Sequence, residues 1–181
     1  MGKSANGEDY QNENPQILDL GCGTGTLAIM VKRAQPDAEV VGLDADPQML
    51  KVASAKASRE APTIKFDQGM AFSLPYPDAS FDRVLSSLMI HHLKTPDKEK
   101  TAREIYRILK PGGRLHVIDF GKPQTPYGKL LVPFLQKFEE ANDNVDGRLP
   151  GIFGQAGLSV REAGDFMTFF GSLTFLYGEK L

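Results

Sequence analysis

Residues 17–26 read ILDLGCGTGT. Ile17 to Leu20 form an apolar run with one acid, Asp19, and the run stops at glycine. A short apolar run bounded by a turn signal fits a strand buried on both faces, as in parallel sheets. Gly21, Gly23 and Gly25 follow at alternate positions. Glycine permits positive φ and lets a ligand approach backbone that a Cβ would shield. Leu27 to Gln35 then carries a helical pattern, ended by Pro36. Strand, glycine turn and helix in that order set the positive end of a helix dipole at the mouth of the turn. A glycine turn alone is a weak signal, because many αβ proteins use one only to change direction.

The pattern repeats outward from there. Glu39 to Leu43 reads as a second strand closed by Asp44. Asp46 is placed to cap a helix that has Pro47 at its first position and runs to about Arg59. A third strand is expected over Thr63–Phe66, a turn-rich loop over Leu74–Asp78, and a fourth strand within Phe81–Met89. Thr95 or Asp97 would cap a long helix ending at Lys110, with Pro111-Gly112-Gly113 as its stop signal. A fifth strand spans Arg114–Asp119, and an amphipathic helix interrupted by Pro133 spans Tyr127–Glu140. A short helix over Leu149–Ala156 is stopped by Gly157. Leu158–Ala163 and Phe166–Tyr177 read as two strands forming an antiparallel hairpin at one sheet edge. Strands alternating with helices predict an α/β domain, a doubly wound parallel sheet covered on both faces.

The 181 residues amount to one domain. Residues 1–16 are polar and read as a flexible segment, leaving 17–181 as the folded unit. The net charge of −2 argues against a nucleic-acid surface. A single cysteine, Cys22, excludes a disulfide framework and an all-cysteine metal site. It reads as a small residue packed in the turn, and no metal is expected. No apolar run reaches the length of a membrane span, so stable membrane insertion is not expected either. The first residues lack the apolar core of a secretory signal, which makes the cytoplasm the expected location. Lys94, Lys98, Lys100, Arg103 and Arg107 alternate with acids and read as a solvated helix face.

Asp44 strengthens the glycine turn. It lies at the end of the second strand, 19 residues after Gly25. In a doubly wound sheet the ends of adjacent strands lie side by side, and an acid there can accept hydrogen bonds from ribose hydroxyls. The plainer reading has Asp44 start the turn before Asp46-Pro47. Two cofactor classes use this layout. Dinucleotide binders favour G-x-G-x-x-G, whereas here the third glycine follows after one residue and Thr26 occupies the later glycine position. Asp19 with Gly21, Gly23 and Gly25 better suits the zwitterionic tail of an amino-acid-like cofactor.

These segments resemble the class I S-adenosylmethionine-dependent methyltransferases, in particular the small-molecule branch that includes the ubiquinone and menaquinone C-methylating enzymes. The matching stretches are ILDLGCGTGTLAI from Ile17, VVGLDADPQML from Val40, LPYPDASFDRVLSSLMIHHL from Leu74 and LKPGGRLHVIDFG from Leu109. GRLPGIFGQAGLSVREAG and FFGSLTFLYGEK resemble the closing helix and strands. The resemblance implies a seven-stranded sheet of order 3-2-1-4-5-7-6 with strand 7 antiparallel. It implies S-adenosyl-L-methionine as cofactor and S-adenosyl-L-homocysteine as product. Gly21, Gly23, Thr24 and Gly25 would line the methionine part, with Asp19 nearby. Asp44 would bind the ribose, and Ala45 and Met49 would flank the adenine. Gly69, Met70 and Ala71 match the loop over the adenine edge. Met70 stands where relatives often carry an acid, which leaves adenine recognition there to backbone groups. Ser87 and Leu88 match positions near the methionine carboxylate or the methyl group.

Methyl transfer from a sulfonium needs alignment and exclusion of water, and a base only if the acceptor must lose a proton. His91 and His92 follow the fourth strand at the expected ligand edge, and histidine titrates near neutral pH. His92 is the stronger candidate for taking a proton or holding an acceptor oxygen. Asp119, ending the fifth strand, points to the same edge. Loop histidines bonded to backbone, and an aspartate making a turn, are the alternative readings. His116 alternates with apolar neighbours and reads as packed. Leu130, Leu131, Phe134, Leu135 and Phe138, with Phe166, Phe169 and Phe170, read first as core and second as a wall for a greasy acceptor.

Three functions stay open. The first is methylation of a small hydrophobic organic acceptor. The second is an NAD(P)-dependent oxidoreductase, and the third is a cofactor-binding domain that lacks its lid. A homodimer closing the site is a further expectation.

Overall fold

The computed structural model describes residues 14–61, 63–123, 140–168 and 171–181. Seven strands form one sheet: β1 (Gln16–Leu20), β2 (Glu39–Asp44), β3 (Lys65–Gln68), β4 (Phe81–Ser87), β5 (Leu109–Phe120), β6 (Ser159–Thr168) and β7 (Gly171–Glu179). Their order is β3-β2-β1-β4-β5-β7-β6, with β7 antiparallel to β5 and β6 and the other pairs parallel. Both the expected fold class and the expected strand order are therefore present.

The apolar strands are buried on both faces. Ile17 packs with Ala28, Ile29, Val40 and Ala57 on the side of α1 (Thr26–Ala34) and α2 (Pro47–Glu60). Leu18 and Leu20 pack with Val84, Ile105, Leu115, Val117 and Phe153 on the opposite side. That side carries α3 (Thr95–Ile108) and α5 (Leu149–Gln155), and the single turn α4 (Asn142–Val145) precedes α5. Asp46 caps α2 as expected, accepting the Gln48 N–H at 2.7 Å with Pro47 at the first position.

Several expectations shift. β3 starts at Lys65 rather than Thr63, in register with Val41 to Asp44. α3 ends at Ile108, because Leu109 already pairs with Phe81 and Pro111 holds the residue before it extended. Gly112 and Gly113 are tied to Lys180 by backbone hydrogen bonds, so the supposed stop signal belongs to β5. Neither Thr95 nor Asp97 caps α3. Lys94 is the N-cap, and the Thr95 hydroxyl instead donates to Asp143 at 2.6 Å. In the tail, the expected break near Gly164 is a bulge between Glu162 and Gly164. Phe166 consequently belongs to β6, opposite Leu173 of β7.

The face read as solvated on α3 is also only partly so. Lys98 is 1% exposed and donates to the Glu140 carbonyl at 2.6 Å. Arg107 reaches the Leu74 and Tyr76 carbonyls, Glu104 and Asp78, clamping the 74–78 loop. His116 is half-buried, its ring 5.4 Å from that of Tyr177. No helix among the described residues is long and apolar enough to cross a membrane. The expected helix over 127–140, and Phe169 and Phe170, lie outside the described residues but for Glu140.

Candidate cofactor and acceptor site

The parallel strands β1, β4 and β5 end at one edge of the sheet, and the expected site residues gather there. The turn after β1 is clasped to β2, since the Leu43 carbonyl accepts the N–H of Gly21 at 2.8 Å and of Cys22 at 3.0 Å. Gly21, Gly23 and Gly25 all have positive φ, 72°, 51° and 73°. A Cβ on Gly21 would overlap the Met89 side chain, whereas one on Gly23 would meet nothing within 4 Å. The turn therefore packs tightly below Gly21 and leaves a free ledge at Gly23. Thr24 beside it is exposed.

Asp44 stands at the lip of this ledge. Its Oδ2 accepts the Gly23 N–H at 2.8 Å and its Oδ1 accepts the Asp46 N–H at 2.9 Å. A carboxylate offers about four acceptor positions, so about two remain for ligand hydroxyls. The turn-starting role and the ligand role are compatible. The Ala45 carbonyl accepts from Gln68 at 3.3 Å, which ties the ends of β2 and β3. Met49, Met70 and Leu88, an apolar rim, are exposed at 37%, 50% and 44%. Gly69 donates to the Asp44 carbonyl, and the Ser73 N–H bonds the Met70 carbonyl. Ala71 sits half-buried in that tight loop.

Asp19 lies beneath the ledge rather than on it. It is 1% exposed and accepts the Ala28 N–H at 2.9 Å, joining β1 to α1. Burial pushes its carboxyl up to about 7, against the pull of that hydrogen bond, and the charge of Asp44 adds to the rise. Burial, with the Asp19 charge second and the Asp44 charge third, pushes the Cys22 thiol up to about 12, so Cys22 is a packed neutral thiol. Leu88 adopts φ 53°, rare for a side chain of its shape, while its N–H donates to the Ile118 carbonyl at 2.8 Å. Strain of this kind gathers at functional sites.

The three expected catalytic residues come together at the ends of β4 and β5. His91, in a 3₁₀ turn over Ile90–His92, is 5% exposed. Its Nδ1 lies 2.7 Å from Asp119 Oδ1. Its ring stands 4.7 Å from that of Phe120 and 4.0 Å from that of His92. His92 is the exposed imidazole of the pair. Sequence reasoning missed Phe120, Met89 and Gly42. At Gly42 a Cβ would crowd Phe66 and Cys22, and a glycine inside a strand was the available signal. Among the described residues, no group of three or more His, Cys, Asp or Glu could hold a metal ion. A separate hollow of about 340 Å³ lies on the α1 face between Leu27, Leu85, His116 and Phe175; of the expected site residues only Ser87 borders it.

The ledge, the unspent positions on Asp44 and the apolar rim fit a ligand with a zwitterionic tail, ribose hydroxyls and a flat base. Comparison with known proteins agrees. Residues 17–113 match the model of a methyltransferase domain. The demethylmenaquinone methyltransferase of Thermus thermophilus is 40% identical over 139 residues, 77% of this chain and 61% of that one. The chain thus spans less than two thirds of that relative. The enzyme of the same name from Listeria monocytogenes is 33% identical over 166 residues, covering 79% and 69%. The crystal structure of the YcgJ protein from Bacillus subtilis superposes with a TM-score of 0.76 at 21% identity, over 95% of this chain and 94% of that one. A glycine ledge beside an acid at the end of the second strand, in a 3-2-1-4-5-7-6 sheet that is similar in sequence to those enzymes, places this chain in the class I S-adenosylmethionine-dependent methyltransferase family, with the demethylmenaquinone methyltransferase type as its relatives.

Proposed function

We propose that this chain methylates a small hydrophobic ring compound carrying a hydroxyl, with S-adenosylmethionine as donor. The observation that carries the reading is a juxtaposition. The cofactor ledge after β1 and β2 and exposed His92, beside the buried His91–Asp119 pair after β4 and β5, lie at one sheet edge. When bound, the cofactor supplies a methyl group on a positively charged sulfur, already activated for displacement. The chain's share is then placement and proton handling. Gly23 and Asp44 fix the cofactor's polar parts, and Met49 and Met70 cover its base. Leu88 and Phe120 shape an apolar approach for the acceptor ring. Asp119 fixes the His91 ring, and His91 backs His92. His92, the exposed imidazole, accepts the proton of the acceptor hydroxyl, which raises the electron density of the neighbouring ring carbon.

Transfer of labelled methyl to 1,4-naphthohydroquinone under argon tests this. Label in the naphthol ring system supports it. No transfer to hydroquinones or phenols, with S-adenosylhomocysteine still bound, overturns the acceptor assignment. Binding of NAD in place of both adenosyl compounds would overturn the whole reading. A second reading has the chain bind the cofactor and need a further segment or a second copy for turnover. It is favoured by one fact, the coverage of only 61% of the Thermus relative.

A further inference from the structure

Twelve residues, 69–80, join β3 to β4. Connections that long are ordinarily loose. This one is anchored from its first residue. The Gly69 N–H donates to the Asp44 carbonyl at 3.0 Å, at the end of β2. The Ser73 N–H then donates to the Met70 carbonyl at 3.1 Å, closing residues 70–73 into one tight turn. Leu74, 6% exposed, ends that turn, and side chains of α3 take both of its main-chain groups. Its N–H donates to Glu104 Oε2 at 2.7 Å, and its carbonyl accepts Arg107 Nη2 at 3.2 Å.

Arg107 is committed in full to this loop and to Glu104. A guanidinium carries five N–H donors in one plane. Nε and Nη2 reach Glu104 Oε1 and Oε2, each at 2.8 Å. Nη2 also serves the Leu74 carbonyl, while Nη1 serves the Tyr76 carbonyl and Asp78 Oδ1, each at 2.8 Å. Each of the five donors thus has its own acceptor. A lysine, a point charge without the fork, cannot span the same set. The hydrogen bonds from Arg107 hold the Glu104 carboxyl below its ordinary range, so the pair stays ionised at neutral pH. Two more contacts secure the loop. The Lys100 ammonium lies 5.7 Å from the centre of the Phe72 ring, and the Tyr76 hydroxyl donates to Asp67 Oδ2 at 3.1 Å.

We propose that Arg107, paired with Glu104, is a positioning residue for the cofactor. It holds the Met70–Ser73 turn in the shape that covers the base, and it acts through Leu74 without touching the ligand. The inference rests on the reading that this turn lies over the base. The physical reason is preorganisation. A loop ordered during folding leaves no ordering cost for the moment of binding, and a loosened one would charge that cost against the base alone. The glycine ledge and Asp44 have anchors of their own in β1 and β2, so the tail and the ribose should not feel the change.

Two ligands separate the parts. S-Ribosylhomocysteine has the amino-acid tail and a ribose but no base, and S-adenosylhomocysteine has all three. Both are titrated by calorimetry, the weaker by displacement of the stronger, into the native chain and into Arg107→Lys. The native chain should bind S-adenosylhomocysteine far more tightly. In Arg107→Lys that preference should shrink about tenfold, the scale of a mutation acting through intervening residues. The whole change should fall on S-adenosylhomocysteine, with S-ribosylhomocysteine within about twofold of native. If Arg107→Lys does not fold, Glu104→Gln carries the same comparison, with a smaller shift of the same sign. An equal loss on both ligands overturns the inference, and so does a lowered melting temperature with the preference intact, the result for a clamp that serves folding alone. A native chain that binds the two ligands alike overturns the placement of the turn over the base. Failure to bind S-adenosylhomocysteine at all overturns the cofactor site itself.

Discussion

The Asp119 carboxylate holds His91 by ring and by backbone: Oδ1 lies 2.7 Å from the imidazole Nδ1, and Oδ2 accepts the His91 N–H at 3.3 Å. Oδ1 also takes the Phe120 N–H at 2.7 Å. One side chain at the end of β5 thereby fixes the residue that follows β4.

Asp119→Asn should disturb that arrangement while keeping its shape. Turnover with a hydroxylated acceptor should fall on the order of a hundredfold, the usual scale for positioned proton transfer. Affinity for S-adenosylhomocysteine should stay within about twofold. Rates measured from pH 6 to 9 check the assignment. A purely structural role would lower the melting temperature and leave the pH profile where it was.

Asp44→Ala should weaken S-adenosylhomocysteine binding more than tenfold, through the loss of hydrogen bonds from ribose hydroxyls to a charged acceptor, about 1.5–3 kcal/mol. The substitution also strips acceptors from Gly23 and Asp46, so melting should fall as well. Calorimetry on the folded fraction reads the first effect, and an unchanged dissociation constant would remove Asp44 from the site.

Gly21→Ala and Gly23→Ala should separate folding from binding. Both place a Cβ at positive φ, costing about 1–2 kcal/mol. At Gly21 the methyl also runs into Met89, so the loss of stability should be the larger of the two. At Gly23 the methyl projects into open space, so the greater loss should be in cofactor affinity. Urea midpoints and S-adenosylhomocysteine titrations of both variants decide it.

Asp19 gives a pH dependence of known sign. Its carboxyl rises from an ordinary 3.8 to about 7 in the folded chain. Between those values the folded state holds a proton that the unfolded state has released. Stability from this group is therefore complete below about pH 4 and is lost as the pH rises through about 7, by on the order of a few kcal/mol. Urea unfolding from pH 4.5 to 8 should show a decline that Asp19→Asn flattens. An equal slope in the two proteins would refute the buried carboxyl as its source.

The sheet was legible because its signals are local. Ile17–Leu20, the alternate glycines and the Asp46-Pro47 cap each declare themselves within a few residues. What escaped depends on partners far along the chain. Lys98 reads as a surface cation until Glu140 and Asp143 are brought to it. The helix was extended past Ile108 because Lys110-Pro111-Gly112-Gly113 is a stop signal on its own and a strand only when Lys180 is beside it. The sequence separated His92 from His91 only as the stronger candidate for proton transfer and did not show that His91 is the buried one. The bond from His91 to Asp119 spans 28 residues, and nothing near His91 announces it.

The position of β7 has a consequence for biosynthesis. β6 is made before β7, yet it joins the sheet only through β7, which inserts between it and β5. A nascent chain that has finished β6 holds a strand with no neighbour, and β5 keeps one edge unsealed. Closure comes in a single late event, when Gly171 to Glu179 enters and Lys180 docks its ammonium on the Tyr106 and Leu109 carbonyls. Ribosome stalling or a premature stop within Gly171 to Glu179 would therefore release a sheet that ends at an unsealed β5 with β6 unattached, a substrate for chaperones and proteases.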